Sequence, residues 1–441
     1  MSAASARTCA PVNSRRRPQG IDDQTNFLVG GARVSIGPAT VPRRLMNLSE
    51  AAADPLLKLI ALSRADTRPD KIDLGVGVYR NADGRTPIMS AVAAAQKLLG
   101  DRQDTLSYVG ATGDEEFLEQ VAGLIFGPLQ TALGERLVGV QAVGGTGALW
   151  LAGELLRASG ATTIWLGFPS WPNHVPILRR SRLTVREAAA FDIGAQTLDW
   201  ERFLTALEDA AAGDAILVQA CCHNPTGADM SLLQWSELAE VCQRKGLIPL
   251  IDLAYLGLGR GVAADVEGLR LMVDSVPECL VAVSCAKSFG IYRERAGALF
   301  LTTETAKSSA IARSHVPALA RPVYSMPPDR GAALVRTVLQ DPVLRAMWNG
   351  ELDVMRERIG ALRGVLADAF AATGLGWTAL RDQAGMFSTL PLSVGVINAL
   401  RQDGVYMTDS GRVNIAGMRA EDAPRLAVLI TRAIENQGAH G

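Results

Sequence analysis

Through the middle of the chain, short β-branched, apolar runs recur at 138–143, 162–167, 215–220, 247–252, 280–285 and 296–302. Between many of them the apolar residues return with helical spacing, as at 147–158, 199–211 and 231–244. An unbroken apolar run of strand length predicts a strand buried on both faces. Such strands alternating with helices predict an α/β fold, a mostly parallel sheet flanked by helices. After "SMPPDRG" (325–331) the pattern changes. Helical spacing holds through about residue 373, "GMFSTL" (385–390) and "GRVNIAG" (411–417) read as short strands, and a closing helix is predicted over 422–436. This predicts a smaller α+β domain. Ahead of the sheet, "NLSEAAADPLLKLIALSRAD" (47–66) predicts a helix with Ser49 as its cap, and "KIDLGVGVYR" (71–80) a short strand or extended loop broken by Gly75 and Gly77. The expected organisation is an extension over 1–47, a segment at 48–80 that joins the smaller domain, a large domain at 81–325 and the smaller domain at 326–441.

Composition narrows the class. The 441 residues are 48% hydrophobic and 20% charged, with a formal net charge of −1, the balance of a folded globular chain. Near-neutrality argues against nucleic acid as a main partner, which needs a basic surface to neutralise phosphates. No stretch approaches the roughly 20 apolar residues of a membrane helix. The six cysteines (Cys9, Cys221, Cys222, Cys242, Cys279, Cys285) form no C-x-x-C pair, and the four histidines are spread widely. Buried thiols in a reducing, cytoplasmic compartment and no metal site are therefore expected. Residues 1–47 are Ser/Ala/Arg-rich, with no acid before Asp22 and no apolar core of a secretory signal. A disordered start is expected there, with an organelle transit peptide as the alternative.

Ligands on such a sheet bind beyond the carboxyl ends of the strands, and each predicted strand end carries a different chemistry. After 138–143 comes "GGTGALW" (144–150), either a plain tight turn or a set of backbone N–H groups at a helix N-terminus that suits a phosphate. After 215–220, "CCHNPTGAD" (221–229) sets Asn224 before Pro225, a turn and a candidate cis peptide bond. After 247–252, Asp252 opens "DLAYLGLG" (252–259), as a helix N-cap or as a carboxylate that needs a partner. After 280–285 stands Lys287, one of six lysines in the chain. It either snorkels to the rim or, desolvated, becomes an amine nucleophile for a carbonyl. Together these ends supply a phosphate cradle, a carboxylate, the Tyr255 hydroxyl and an amine at one edge of one sheet. Pyridoxal 5'-phosphate needs all four, for its phosphate, its pyridine nitrogen, its phenolic oxygen and its aldehyde.

The motifs "LGVGVYR" (74–80), "YVGATGDEEF" (108–117), "GGTGAL" (144–149), "PSWPNH" (169–174), "HNPTG" (223–227), "DLAYLG" (252–257), "SCAKSFGIYRERAG" (284–297), "RPVYSMPP" (321–328), "GMFS" (385–388) and "SGR" (410–412) follow one another in order. In this the chain resembles the aspartate/aromatic aminotransferase family of fold-type I pyridoxal-phosphate enzymes, from about residue 48 to 436. The resemblance implies roles by motif position. Lys287 would hold the cofactor as a Schiff base and then carry the proton that leaves the substrate α-carbon. Asp252 would pair with the pyridinium nitrogen, and Tyr255 and Asn224 would hydrogen-bond the phenolic oxygen. Gly145, Thr146, Ser284 and Arg295 would hold the phosphate, Trp171 would stack on the ring, and Tyr108 would reach the phosphate of the neighbouring subunit. Arg412 would grip the substrate α-carboxylate bidentately. Arg321 would enter the partner's site to bind a distal carboxylate, and Gly77 would line the pocket.

The implied protein is a homodimer with shared active sites. It would exchange amino groups by a ping-pong route between an aspartate or aromatic L-amino acid and a 2-oxo acid such as 2-oxoglutarate. Four positions bear on how it departs from the family. Gly144 stands where many members carry Ser, and Ser107 and Met326 where aspartate-selective members often carry Asn. With Val78 beside Gly77, the latter two tilt the expectation away from strict aspartate selectivity. A lyase or β-decarboxylase on the same scaffold is the alternative, since fold alone does not fix the reaction. The presence of both arginines favours transamination. A non-catalytic pyridoxal-phosphate-binding regulator is disfavoured, because residues 1–47 show no helical periodicity of a DNA-binding module.

Overall fold

The computed structural model describes residues 54–438, with 26–29, 32–35, 45 and 48–50 of the segment before them. The chain divides into a unit over Met1–Ala53 and a unit over Asp54–Gly441. In the first, Asn26–Val29 pairs antiparallel with Ala32–Ser35. Most of the extension expected at 1–47, Cys9 included, lies outside the described residues.

The second unit is built on a seven-stranded sheet of β1 (Leu137–Val143), β2 (Thr163–Phe168), β3 (Thr184–Ala189), β4 (Ala215–Gln219), β5 (Ile248–Leu253), β6 (Cys279–Ser284) and β7 (Ala296–Thr302). The order is β1-β7-β6-β5-β4-β2-β3. Neighbours pair in parallel except at β7, which runs antiparallel to both β6 and β1. Six strands coincide with the apolar runs. The seventh, β3, has no such run: it exposes Thr184, Arg186 and Glu187 at one edge of the sheet.

Side-chain alternation divides the core between the two faces of the sheet. Ile216, Val218, Ile251, Val281 and Val283 pack on one face, and Ala215, Leu217, Leu250, Leu280 and Ala282 on the other. Each fully buried Leu, Ile or Val contributes about 1.5–3 kcal/mol relative to an exposed one.

The helices follow local chemistry. Helix α1 (Pro55–Ala65) is capped by Asp54, whose carboxylate accepts from the N–H groups of Leu56 at 2.8 Å and Leu57 at 3.0 Å. The expected cap, Ser49, stands outside the helix. Asp54-Pro55 prevails because it joins a capping carboxylate to a residue preset for the first turn. Helix α2 (Gly144–Ala158) starts directly at the end of β1, and α3 (Leu232–Lys245) is closed by a Ser231/Gln234 capping box. Helix α4 (Ala306–Tyr324) has no counterpart in the sequence pattern, because Pro317 and Pro322 lie inside it. The helical stretch expected after "SMPPDRG" is two helices, α5 (Asp329–Gln340) and α6 (Pro342–Ala372), parted where Asp341 caps the second. The chain closes with α7 (Asp422–Gly438). A separate hydrophobic cluster joins Leu362, Leu366 and Phe370 of α6 to Val413, Leu426 and Ile430, and takes in Ile72 and Leu74 from the 48–80 segment. Next to it, β8 (Phe387–Thr389) pairs antiparallel with β9 (Arg412–Asn414). No described helix is long and apolar enough to cross a membrane.

The register brings the functional edge together. Gln219 of β4 lies opposite Asp252 of β5, and Asp252 opposite Ala282 of β6. The reversal of β7 sets its first residue, Ala296, opposite Val143 at the end of β1, so Arg295 arrives at the same edge.

Candidate active site

At that edge lies a cavity of about 240 Å³. Its walls include Gly77, Gly145, Thr146, Trp171, Asn224, Asp252, Tyr255, Ser284, Lys287, Arg295 and Arg412, gathered from elements far apart in sequence. Gln219 and Phe387, to which the sequence assigned no role, also line it. Tyr108 and Arg321 do not. Tyr108 is 90% exposed and Arg321 is exposed as well.

One end of the cavity is an anion cradle. Helix α2 begins at Gly144, whose φ is +64°, and its next residues, Gly145 and Thr146, line the cavity, which brings the positive end of the helix dipole to it. A Cβ at Gly145 would come within 2.9 Å of the Ser284 Cβ, and one at Gly144 within 2.6 Å of Arg295 Nη2. Glycine at both positions therefore lets a hydroxyl and a guanidinium converge on the helix start. At Gly144, where many of the resembled proteins carry Ser, Arg295 takes the space a side chain would need. Arg295 has φ +55° and donates from Nη1 to the Tyr292 carbonyl at 3.2 Å, which fixes its approach.

The other end is a buried carboxylate with its own support. Asp252 Oδ2 lies 3.1 Å from His174 Nε2, and His174 Nδ1 lies 2.8 Å from Ser170 Oγ. His174 is fully buried, so the buried Asp252 carboxyl has a positioned ring nitrogen as its partner. Trp171 stands edge-on to His174, with centroids 5.2 Å apart at 90°. Sequence reasoning passed over His174 as one of four scattered histidines. The signal was its spacing: Ser170 and His174 are four apart, flanking Trp171.

Between the two ends stands Lys287. Burial lowers its amine below the ordinary lysine value; the Asp252 carboxylate works against that shift and Arg295 with it. Its Nζ is 5.0 Å from the centroid of the Tyr255 ring. Burial, then the Asp252 charge, raises the Tyr255 phenol, while Asn224, which donates from Nδ2 to the phenol oxygen at 3.1 Å, opposes the rise. The Asn224–Pro225 bond is cis, as the resemblance led us to expect, and so is Phe168–Pro169. The loop after Lys287 is held from below, where Phe289 stacks on Trp348 at 4.6 Å and Trp348 Nε1 donates to the Ser288 carbonyl at 2.8 Å.

Arg412 opens β9, donates from Nη2 to the Gly75 carbonyl at 2.9 Å and lies 4.8 Å from the centroid of the Phe387 ring. Its Nε is buried without a partner, a donor left for a ligand oxygen. A Cβ on Gly77 would reach within 2.9 Å of Phe387 Cζ, so glycine is what allows this wall to close up. A glycine-lined cradle, a supported carboxylate, a phenol with an amide, a desolvated amine and a guanidinium with a free donor together fit pyridoxal phosphate and an amino acid carboxylate.

The turn beneath Asn224 carries two opposed titrations. Burial first, then His174, holds the His223 imidazole down to about 4. Asp229, which accepts from the Cys222 and His223 N–H groups at 2.8 Å each, is pushed up to about 6 by burial. A histidine depressed in the folded state destabilises as pH falls from its ordinary 6.5 to about 4, and an aspartate raised in the folded state destabilises as pH rises from 3.8 to about 6. The two slopes cancel over one window. His223→Gln is expected to uncover the second, so that stability in denaturant titrations falls by roughly 2 kcal/mol between about pH 4 and 6, discounted because both residues keep some surface. An equally flat variant would remove Asp229 from the account.

The fold and these side chains suit an enzyme whose cofactor is an anionic, aldehyde-bearing ring, with a cavity for it at the carboxyl edge of an α/β sheet. The chain belongs to the aminotransferase class I and II family, which it matches over residues 69–430. The cofactor of that family is pyridoxal phosphate, and the chain is an aminotransferase. It is 50% identical to a tyrosine aminotransferase of Rhizobium meliloti (strain 1021) over 385 residues, 87% of this chain and 98% of that one. It is 39% identical to an aspartate aminotransferase of Escherichia coli (strain K12) over 393 residues, 88% of this chain and 99% of that one. Among solved structures it resembles an aromatic-amino-acid aminotransferase from Burkholderia pseudomallei covalently bound to pyridoxal phosphate. That likeness has a TM-score of 0.84 and 35% identity, and covers 88% of this chain and 98% of the other.

Proposed function

We propose that this enzyme transfers the amino group of an aromatic or acidic L-amino acid to a 2-oxo acid such as 2-oxoglutarate by a ping-pong route, with Lys287 as the amine that joins pyridoxal phosphate in a Schiff base. The observation that carries this reading is the desolvated Lys287 amine in one cavity with the α2 cradle and the supported Asp252. Bound there, the cofactor supplies an electron sink for the pair left at the substrate α-carbon. The chain supplies the rest. The start of α2, Ser284 and Arg295 hold the phosphate. Asp252, oriented by His174, keeps a proton on the ring nitrogen, and Trp171 covers the ring. Asn224 and Tyr255 donate to the phenolic oxygen. Lys287 Nζ, once free, carries the α-proton, and Arg412 orients the substrate by its carboxylate. In this reading residues 81–325 form the cofactor domain. Residues 326–441, with 48–80, form a smaller domain around its own core and bring Arg412 and Gly77 to the site.

The reading also calls for a second copy. Leu106 and Tyr108 are each 90% exposed and Val323 is 58% exposed, an exposure of large hydrophobic side chains that suits an interface better than a solvated surface. A homodimer would bury them and deliver Tyr108 and Arg321 to the partner's cavity. The five buried, free cysteines of the described chain support a reducing, cytoplasmic setting. Met326 near Arg321, and the likeness to a tyrosine aminotransferase, support an aromatic tilt.

The test is a panel of aspartate, tyrosine, phenylalanine and tryptophan against 2-oxoglutarate, in wild type and Arg321→Ala. Removing Arg321 is expected to lower kcat/KM for aspartate by about 100-fold or more and for phenylalanine by only a few fold, because only aspartate has a distal carboxylate left unpaired. Equal losses would take Arg321 out of that role, and no turnover of any donor would defeat the proposed reaction.

A further inference from the structure

Gln219, the last residue of β4, turns both ends of its carboxamide to one neighbour. Its Oε1 accepts from the Asn224 N–H at 2.9 Å, and its Nε2 donates to the Asn224 carbonyl at 2.8 Å. Both residues are buried, at 7% and 3% exposure. The pair of bonds works like one rung of a ladder, made by a side chain across the turn that leaves the sheet. Two bonds to one residue fix both the position and the plane of its backbone. With only two rotatable bonds beyond that backbone, the Asn224 side chain can then place its amide in few ways. The place it takes is against Tyr255, with Nδ2 donating to the phenol oxygen. Gln219 shares the cavity with Asp252, Tyr255, Lys287, Arg295 and Arg412, and on its other side adjoins His223 and Asp229.

We infer that Gln219 is a positioning residue: by clamping Asn224 it fixes the donor that meets the phenolic oxygen of pyridoxal phosphate, and so sets how readily Lys287 Nζ, once joined to the cofactor, gives up its proton. This rests on the reading of the site given above. A donor held on the phenolic oxygen stabilises its negative charge most when that nitrogen is deprotonated, so it lowers the pH of the transition. A loosened Asn224 raises it.

The experiment is a pH titration of the visible absorption of the holoenzyme. Gln219→Met, which keeps the volume but neither hydrogen bond, is expected to raise the midpoint by about one pH unit, a tenfold change in the proton equilibrium. Gln219→Asn, one methylene too short to span both bonds, is expected to shift the same way and serves if the first variant does not fold. Gln219→Glu is expected to titrate near wild type. A carboxyl buried beside Asp252 stays protonated, and a protonated carboxyl keeps one donor and one acceptor. A role confined to stability would change denaturation midpoints and leave the spectral midpoint in place, which would overturn the inference, as would equal shifts in all three variants. A wild type with no pH-dependent visible band defeats the cofactor reading itself, and the inference with it. A wild type that titrates alongside an unshifted Met or Asn variant defeats Gln219 alone.

Discussion

Lys287→Ala is expected to abolish transamination, by at least about 10⁴-fold in turnover, while leaving a folded protein that no longer shows the visible band of the bound cofactor. Lys287 is asked to do two things, and alanine does neither. It must present an uncharged amine to the aldehyde, and burial already depresses its affinity for a proton. It must then move a proton at the substrate α-carbon, a role open only to a basic group within the cavity. The other groups lining that cavity offer no replacement. Asp252 is engaged by His174, burial raises the Tyr255 phenol, and the guanidiniums of Arg295 and Arg412 are donors with no acceptor for a proton. Folding is expected to survive, because removing a buried amine relieves a desolvation cost and the neighbouring loop is held by Trp348 and Phe289. The measurement is single-turnover kinetics with absorbance, beside a denaturation curve. Retention of a pH-responsive band in the variant would mean that another amine holds the cofactor.

How much of this was legible in the sequence depended on where each signal lives. The strands were visible because burial on both faces leaves a continuous apolar run, and the strand ends because Asp252 and Lys287 interrupt such runs with charge. β3 was invisible because its exposed Thr184, Arg186 and Glu187 break any apolar run, and α4 because Pro317 and Pro322 argue locally against a helix that tertiary packing of Val316 and Ala320 nonetheless sustains. Ser49 and Asp54 compete for one cap, and only the helix start decides between them. His174 and Gln219 are different again. Each acts on a residue reached through the fold, His174 on Asp252 across 78 positions and Gln219 on the far side of a tight turn, so residue type announces neither, and only His174 leaves a local mark, its spacing from Ser170. Tyr108 and Arg321 are exposed and do not line the cavity of their own chain, and only the resemblance gave them work to do.

The largest effect on stability is expected at a residue that touches no ligand. Arg363, on α6, is 2% exposed, and its guanidinium donates only to neutral groups. Nη2 reaches the carbonyls of Ala384 at 3.1 Å, Gly385 at 2.7 Å and Phe387 at 2.6 Å, and Nη1 reaches Ser388 Oγ at 2.7 Å. Burial lowers its pKa to about 10, against the pull of Cys222 and Asp229. A buried cation is costly, so its retention needs a return, and the return is the shape of residues 384–388. That loop also receives the turn below the site: Ala384 N–H donates to the Gly227 carbonyl at 2.7 Å, and Thr389 Oγ1 to the Pro225 carbonyl at 3.1 Å. It carries Phe387, whose ring meets Tyr255 edge-on at 5.9 Å and underlies Arg412 at 4.8 Å. Arg363→Met keeps the volume and removes the charge, but the carbonyls cannot be removed with it. Several buried acceptors would lose their donor, each worth about 1–3 kcal/mol, and the relief of desolvation offsets only part, leaving an expected loss of about 3–5 kcal/mol. Arg363→Lys should recover part of it, since an ammonium supplies three donors but not the planar fork. Because Phe387 moves with the loop, KM for the amino donor should rise in Arg363→Met more than kcat falls, as Arg412 loses its floor. A Met variant as stable as wild type in denaturant would show that the loop holds its shape unaided and that the buried guanidinium serves something other than this fold.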